Sequence, residues 1–176
     1  VWRLPLVPTP SASPIPINSA NFLRGAIAVG ADGIAIFNPR NNTGRFSQEI
    51  GELDIYGGHC GLADDYHYHM APVHLQAILG IDKPVAWALD GYPIYGYTEP
   101  DGTPRQTLDA NGGHDHGSWS YHYHAIGSAA TGPVNPYLHT AFRGTVINFG
   151  NQVDGQPEVQ NMRQSGTGGY TAQAVQ

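Results

Sequence analysis

At 176 residues the chain is long enough for one domain with a sizeable core and too short to imply two. A formal net charge of −6, with 12% charged residues, a single Lys (Lys83) and no basic run, argues against nucleic acid as the main partner, because phosphate binding needs clustered Lys and Arg. No apolar run approaches the ~18–20 residues of a membrane span, and the lone Cys60 excludes an intramolecular disulfide framework.

His is the compositional outlier, with nine residues, eight of them between His59 and His124. The 23 Gly, 14 Pro and ten Tyr, with few helix formers, predict a turn-rich, mainly β protein. Little Lys and a first residue that is Val rather than Met lead us to expect a secreted or periplasmic, cell-envelope protein whose signal has been removed, or else a fragment.

Residues 1–20 carry five prolines, from Pro5 to Pro16, which exclude helix and central strand. The segment reads as an extended arm. It is either disordered or docked on its own domain or a neighbour through Trp2, Leu4, Leu6, Ile15 and Ile17, and a docked arm would allow homo-oligomer assembly.

Residues 21–150 read as one compact β domain of two pseudo-symmetric halves, an internal duplication with repeats at about 26–70 and 84–125. Ala26–Val29, Asp32-Gly33 and Ile34–Phe37 predict a hairpin. Asn38 to Arg45 is loop, and Leu53–His59 is a turn ending in Gly-Gly-His. Tyr66-His67-Tyr68-His69 is the next strand, and Pro72 to Leu79 the one short helix, with Gly80 beyond its end. The series then recurs. Val85–Leu89, Asp90-Gly91 and Tyr92–Tyr95 match the first hairpin at an offset of 58, and Leu108–His114 with Tyr121-His122-Tyr123-His124 match at 55. A last strand is expected at Gly144–Phe149, followed by a Gly- and Gln-rich tail at 151–176.

The repeat carries the chemistry. On a strand His67 and His69 share one face and Tyr66 and Tyr68 the other. Each repeat adds a lone His on a Gly-Gly turn and an Asp five residues before it, giving Asp54, His59, His67 and His69, then Asp109, His114, His122 and His124. Three imidazoles with an open position are the ligand set of catalytic zinc, and imidazole also suits copper and iron. Asp54 and Asp109 read as fourth ligands or as acceptors that fix a His tautomer. Copper or zinc is the expected ion, with iron or manganese as alternatives. The His-x-His pairs form either one shared site, the geometry preferred, or two separate ones.

Cys60 reads as a buried, inert thiol, or as a soft ligand. His116 reads as an extra ligand or a surface residue, His74 and His139 as structural, and Asp32 and Asp90 as turn residues. The sequence lacks a Gly-x-Ser-x-Gly elbow, a phosphate loop and a dinucleotide fingerprint. The expected function is metal binding; the alternatives are a metal-dependent hydrolase or oxidoreductase and an assembly module with a metal-locked core.

Asp90-Gly-Tyr-Pro-Ile-Tyr-Gly96, Leu108-Asp-x-Asn-Gly-Gly-His114, both Tyr-His-Tyr-His segments and Pro136-Tyr137 with Arg143-Gly144 together resemble the YHYH-domain family, over roughly residues 25–144. The resemblance implies a secreted or envelope-associated protein of bacterial type, and it carries no particular activity with it. Family members often have cysteines near these motifs, where this chain has Cys60 alone.

Overall fold

A computed structural model describes residues 3–61 and 65–147. In chain order the strands are β1 (Pro10–Pro16), β2 (Ala26–Gly30), β3 (Ala35–Phe37), β4 (Gly58–Cys60), β5 (Tyr66–Tyr68), β6 (Ala86–Ala88), β7 (Pro93–Tyr95), β8 (Gly113–His116), β9 (Trp119–His124), β10 (Gly127–Ser128), β11 (Gly132–Pro133) and β12 (Ala141–Gly144). The expected helix is present as a 3₁₀ turn, Val73–Leu75, running into α1, Gln76–Leu79. Pro72 precedes it without an N–H to waste, and Gly80 ends it at φ 97°.

Eight strands form one sheet in the order β4-β5-β3-β2-β6-β7-β9-β8. From either edge the order reads alike: a Gly-Gly-His strand, a Tyr-His strand antiparallel to it, then a hairpin whose second strand runs parallel to the Tyr-His strand. The two hairpins join back to back through β2 and β6. Val29 pairs with Trp87, and these stand at the same offset of 58 that separates the hairpins. Ala28↔Ala88 and Gly30↔Ala86 flank that pair evenly. A local twofold relation therefore passes between Val29 and Trp87, where small residues let the strands approach.

One apolar cluster serves both halves. It gathers Ile27, Ile36, Leu89, Ile94, Leu138 and Phe142, all fully buried, with Tyr68, Tyr121 and Tyr123. Full burial of each such aliphatic contributes roughly 1.5–3 kcal/mol before entropy is set against it. The arm docks on its own domain. Its strand β1 pairs with β12 in a separate two-stranded sheet, where prolines that lack an N–H are tolerated, and Leu4, Ile15 and Ile17 pack against the core.

Three expectations are corrected. The last strand is Ala141–Gly144, earlier than expected: Gly144 is paired with Pro10 at the end of β1, and its N–H goes to Asp90 Oδ2 at 2.9 Å. Thr145–Ile147 lie outside any strand, and 148–149 and the tail lie outside the described residues. Asp32 and Asp90 do more than shape turns. Asp90, fully buried, also accepts the Tyr123 hydroxyl at 2.6 Å, and Asp32 accepts the Tyr68 hydroxyl at 2.9 Å. Cys60 is exposed, since it alternates on β4 with His59 and so faces away from the imidazoles.

Candidate metal centres

The Gly-Gly turns bring the lone histidines over the Tyr-His strands. Gly57 and Gly112 adopt φ of 84° and 91°, which side chains with a Cβ rarely reach. The second glycine is needed for space: a Cβ at Gly58 would lie 2.5 Å from the Tyr66 hydroxyl, and one at Gly113 would lie 2.5 Å from the His122 carbonyl. With that approach allowed, His59 pairs with His67 and His114 with His122 across the antiparallel ladders.

The result is two triangles of imidazoles. Ring centroids are 4.8, 5.0 and 5.0 Å apart for His59, His67 and His69. For His114, His122 and His124 they are 5.0, 5.1 and 5.0 Å apart. The Nε2 atoms of His59 and His69 are 3.1 Å apart, and those of His114 and His124 are 3.2 Å apart. Two nitrogens bound at about 2.0–2.1 Å to one tetrahedral ion are about 3.3–3.4 Å apart, so the spacing fits a common ion.

Hydrogen bonds fix which nitrogen faces inward. A backbone carbonyl only accepts, so an Nδ1 bonded to one must carry the proton. His122 Nδ1 donates to Ser120 O at 2.8 Å, His124 Nδ1 to Gly96 O at 2.9 Å and His114 Nδ1 to Thr107 O at 3.2 Å. In the first triangle His67 Nδ1 donates to Asp65 O at 2.9 Å, and His69 Nδ1 to Asn38 O. The carbonyls thus orient the ligands and leave Nε2 lone pairs pointing inward. Burial pulls His69 and His124 down to about 4, outweighing their carbonyl bonds, and lowers His122 as well, so protons do not readily fill the gap. His122 Nε2 is buried without a hydrogen-bond partner.

Glu99 completes the second group and was not anticipated from sequence. Fully buried, it places carboxylate oxygen 3.2 Å from His114 Nε2, 3.4 Å from His124 Nε2 and 3.6 Å from His122 Nε2. Its other oxygen accepts the Gln106 N–H at 2.7 Å. Burial raises its pKa, but the Gln106 N–H bond, together with the electrostatic influence of His124, His114 and His116, outweighs that and holds it below the ordinary carboxylate value. Its loop has a counterpart in the first half, since the bridges Arg40↔Phe46 and Thr98↔Pro104 stand at the offset of 58. The residue at the matching position is Asn41, so a search for chemistry common to both copies passes over Glu99.

Among the described residues, then, two groups could hold a metal ion: His59, His67 and His69, and Glu99, His114, His122 and His124. The preference for one site drawn from both halves is corrected. The halves meet through β2 and β6, which leaves four strands between β5 and β9, about 24 Å along the sheet.

Asp54 and Asp109 belong to neither group. Asp54 accepts the N–H groups of Tyr56 and Gly58 at 2.8 and 3.2 Å and the Tyr66 hydroxyl at 2.9 Å. Asp109 repeats this with Asn111, Gly113 and the Tyr121 hydroxyl at 2.8, 3.2 and 3.0 Å. The tyrosines alternate with the histidines along the strand, so these carboxylates lie on the opposite face. Burial pulls Asp54 up, but the Gly58 and Tyr56 N–H groups and the Tyr66 hydroxyl outweigh it and hold its pKa low.

Of the other histidines, His116 Nε2 pairs with Asp101 at 2.9 Å, with its Nδ1 3.9 Å from Glu99. His74 packs against Tyr56 and Tyr68. His139 stacks on Tyr123 at 4.5 Å in the core, with both ring nitrogens unpartnered. No helix among the described residues is long and apolar enough to cross a membrane.

The family model for YHYH protein matches residues 1–105, a span that includes His59, His67, His69 and Glu99 and ends before His114. No curated protein and no solved structure matches the chain.

Proposed function

The chain belongs to the YHYH family, and from its geometry we propose that it is a metal-binding protein with one transition-metal centre in each half of its sheet. One observation carries this reading. At the second centre three Nε2 lone pairs and a carboxylate converge, while all three Nδ1–H groups are committed to carbonyls. Four acceptors with no donor among them repel one another, and a cation relieves that repulsion. Copper or zinc is the proposed ion, with iron or manganese the alternatives. We read the repeat as a duplicated metal-binding unit, and the family resemblance with the scarcity of Lys as marks of a secreted or envelope protein.

Titration of the metal-free protein with zinc, followed by desalting and elemental analysis, tests the reading. Two equivalents per chain are expected. Less than a tenth of an equivalent, with copper equally ineffective, overturns it.

A second reading, assembly between copies, is favoured by the arm. Strand β1 pairs with β12 alone, apart from the main sheet, and an arm from a second copy would meet the same complementary partner. Light scattering on the chain with and without residues 1–17 tests it. Loss of an oligomer on deletion supports the reading, and an unchanged state removes the arm from it.

A further inference from the structure

The two centres are not chemical copies, and the difference sits at one loop position. Glu99 and Asn41 occupy the same place in matching turns: Glu99 N donates to Thr103 O and Asn41 N to Arg45 O, while Gly102 N returns to Glu99 O and Gly44 N to Asn41 O. Glu99 sends its carboxylate among the imidazoles. Asn41 does not: its Oδ1 accepts the N–H groups of Thr43 and Arg45 at 2.9 and 3.2 Å, and its Nδ2 donates to Glu52 at 3.1 Å.

Two further differences point the same way. Asp101 and His116 pair beside Glu99, where the first half has Thr43 and Gly61. His122, His124 and Glu99 are fully buried, against 6% exposure for His67 and 4% for His69. Both centres are buried, and the second has a negative charge, itself fully buried, in direct reach of the ion. Coulomb attraction to a divalent cation is strongest where water is excluded.

Resting on the reading of these groups as metal centres, we propose that they select different ions: the Glu99 centre takes a divalent ion that favours oxygen ligands, such as manganese, and the His59 centre takes a soft ion, such as cuprous copper. Manganese(II) stands lowest in intrinsic affinity among the first-row divalent ions and prefers carboxylate oxygen, so neutral imidazoles alone hold it poorly. Cuprous copper carries one charge and prefers soft, neutral donors, so a buried carboxylate brings it little.

The test uses the metal-free full chain, with manganese(II) counted by paramagnetic resonance and cuprous copper by competition with a chromophoric chelator under reducing conditions. One manganese per chain is expected. It should be retained in His69→Ala, lost in His122→Ala and weakened at least about tenfold in Glu99→Gln. Cuprous copper should show the reverse dependence on His69 and His122. Glu99→Gln keeps an oxygen for the Gln106 N–H, and an unchanged far-ultraviolet circular dichroism spectrum separates ligand loss from unfolding. Two equal manganese sites, manganese retained in His122→Ala, or no manganese beside two equivalents of zinc overturns this inference and leaves the metal-binding reading standing. Failure to bind manganese, copper or zinc at either centre overturns both.

Discussion

His114 and His124 face each other with their Nε2 atoms 3.2 Å apart, and each gives its Nδ1 proton to a backbone carbonyl. Without a metal, a proton is the other way to relieve that opposition, and burial resists it by pulling His124 down to about 4. His69 is held at about 4 and His139 at about 3, burial being the largest cause in each. These groups are neutral in the folded chain and ordinary in the unfolded one. Between about pH 4 and 6.5 the unfolded state therefore binds more protons, and stability falls as pH falls. The full contribution is present above pH 6.5, and His69 and His124 would each lose up to about 3 kcal/mol by pH 4. Urea denaturation of chelator-treated protein from pH 7.5 to 4.5 should show the decline, with a shallower slope for His139→Leu. A flat profile contradicts the burial of these imidazoles as neutral groups.

Tyr123 and Tyr68 hold equivalent places but different loads. Tyr123 Oη donates to the fully buried Asp90 and accepts the Arg143 N–H at 2.7 Å, tying β9 to β12. Tyr68 donates to Asp32, whose turn is exposed. Tyr123→Phe strips a partner from a buried carboxylate and should cost about 2–3 kcal/mol, whereas Tyr68→Phe should cost about 1 kcal/mol or less. Chemical denaturation of the two variants in parallel reads the difference, and equal losses would contradict it.

Asp54 and Asp109 shape the Gly-Gly turns from the far face of the sheet. Asp54→Asn and Asp109→Asn should keep full metal content in elemental analysis and lower stability by about 1 kcal/mol each, through weakened bonds to turn N–H groups. Loss of an equivalent of metal from either variant, with its fold intact, would return that carboxylate to the ligand set.

The architecture was readable because the repeat is written in residues that geometry requires. Asp-Gly marks each hairpin, Gly-Gly-His each return, and Tyr-His-Tyr-His each two-faced strand. Four imidazoles followed from that alternation, and the other two from the Gly-Gly-His returns. Other features depend on contacts between distant residues, which spacing does not encode. Asp90 looks like any turn Asp until β12 brings Gly144 to it. The arm's partner is set by the register Ile15↔Phe142, across 127 positions of sequence. The two-centre layout depends on hairpins meeting at Val29 and Trp87, and nothing in the Tyr-His motif records that. Glu99 was missed because it is where the copies differ.

Each half of the sheet is proposed to hold its own ion. Elemental analysis of zinc-loaded protein carrying His67→Ala or His122→Ala tests it most directly. Each variant should lose about half of the metal held by the unmodified chain, and the double variant nearly all of it. Complete loss from either single variant would mean a shared site, and undiminished metal in all three would mean that the imidazole triangles do not bind it.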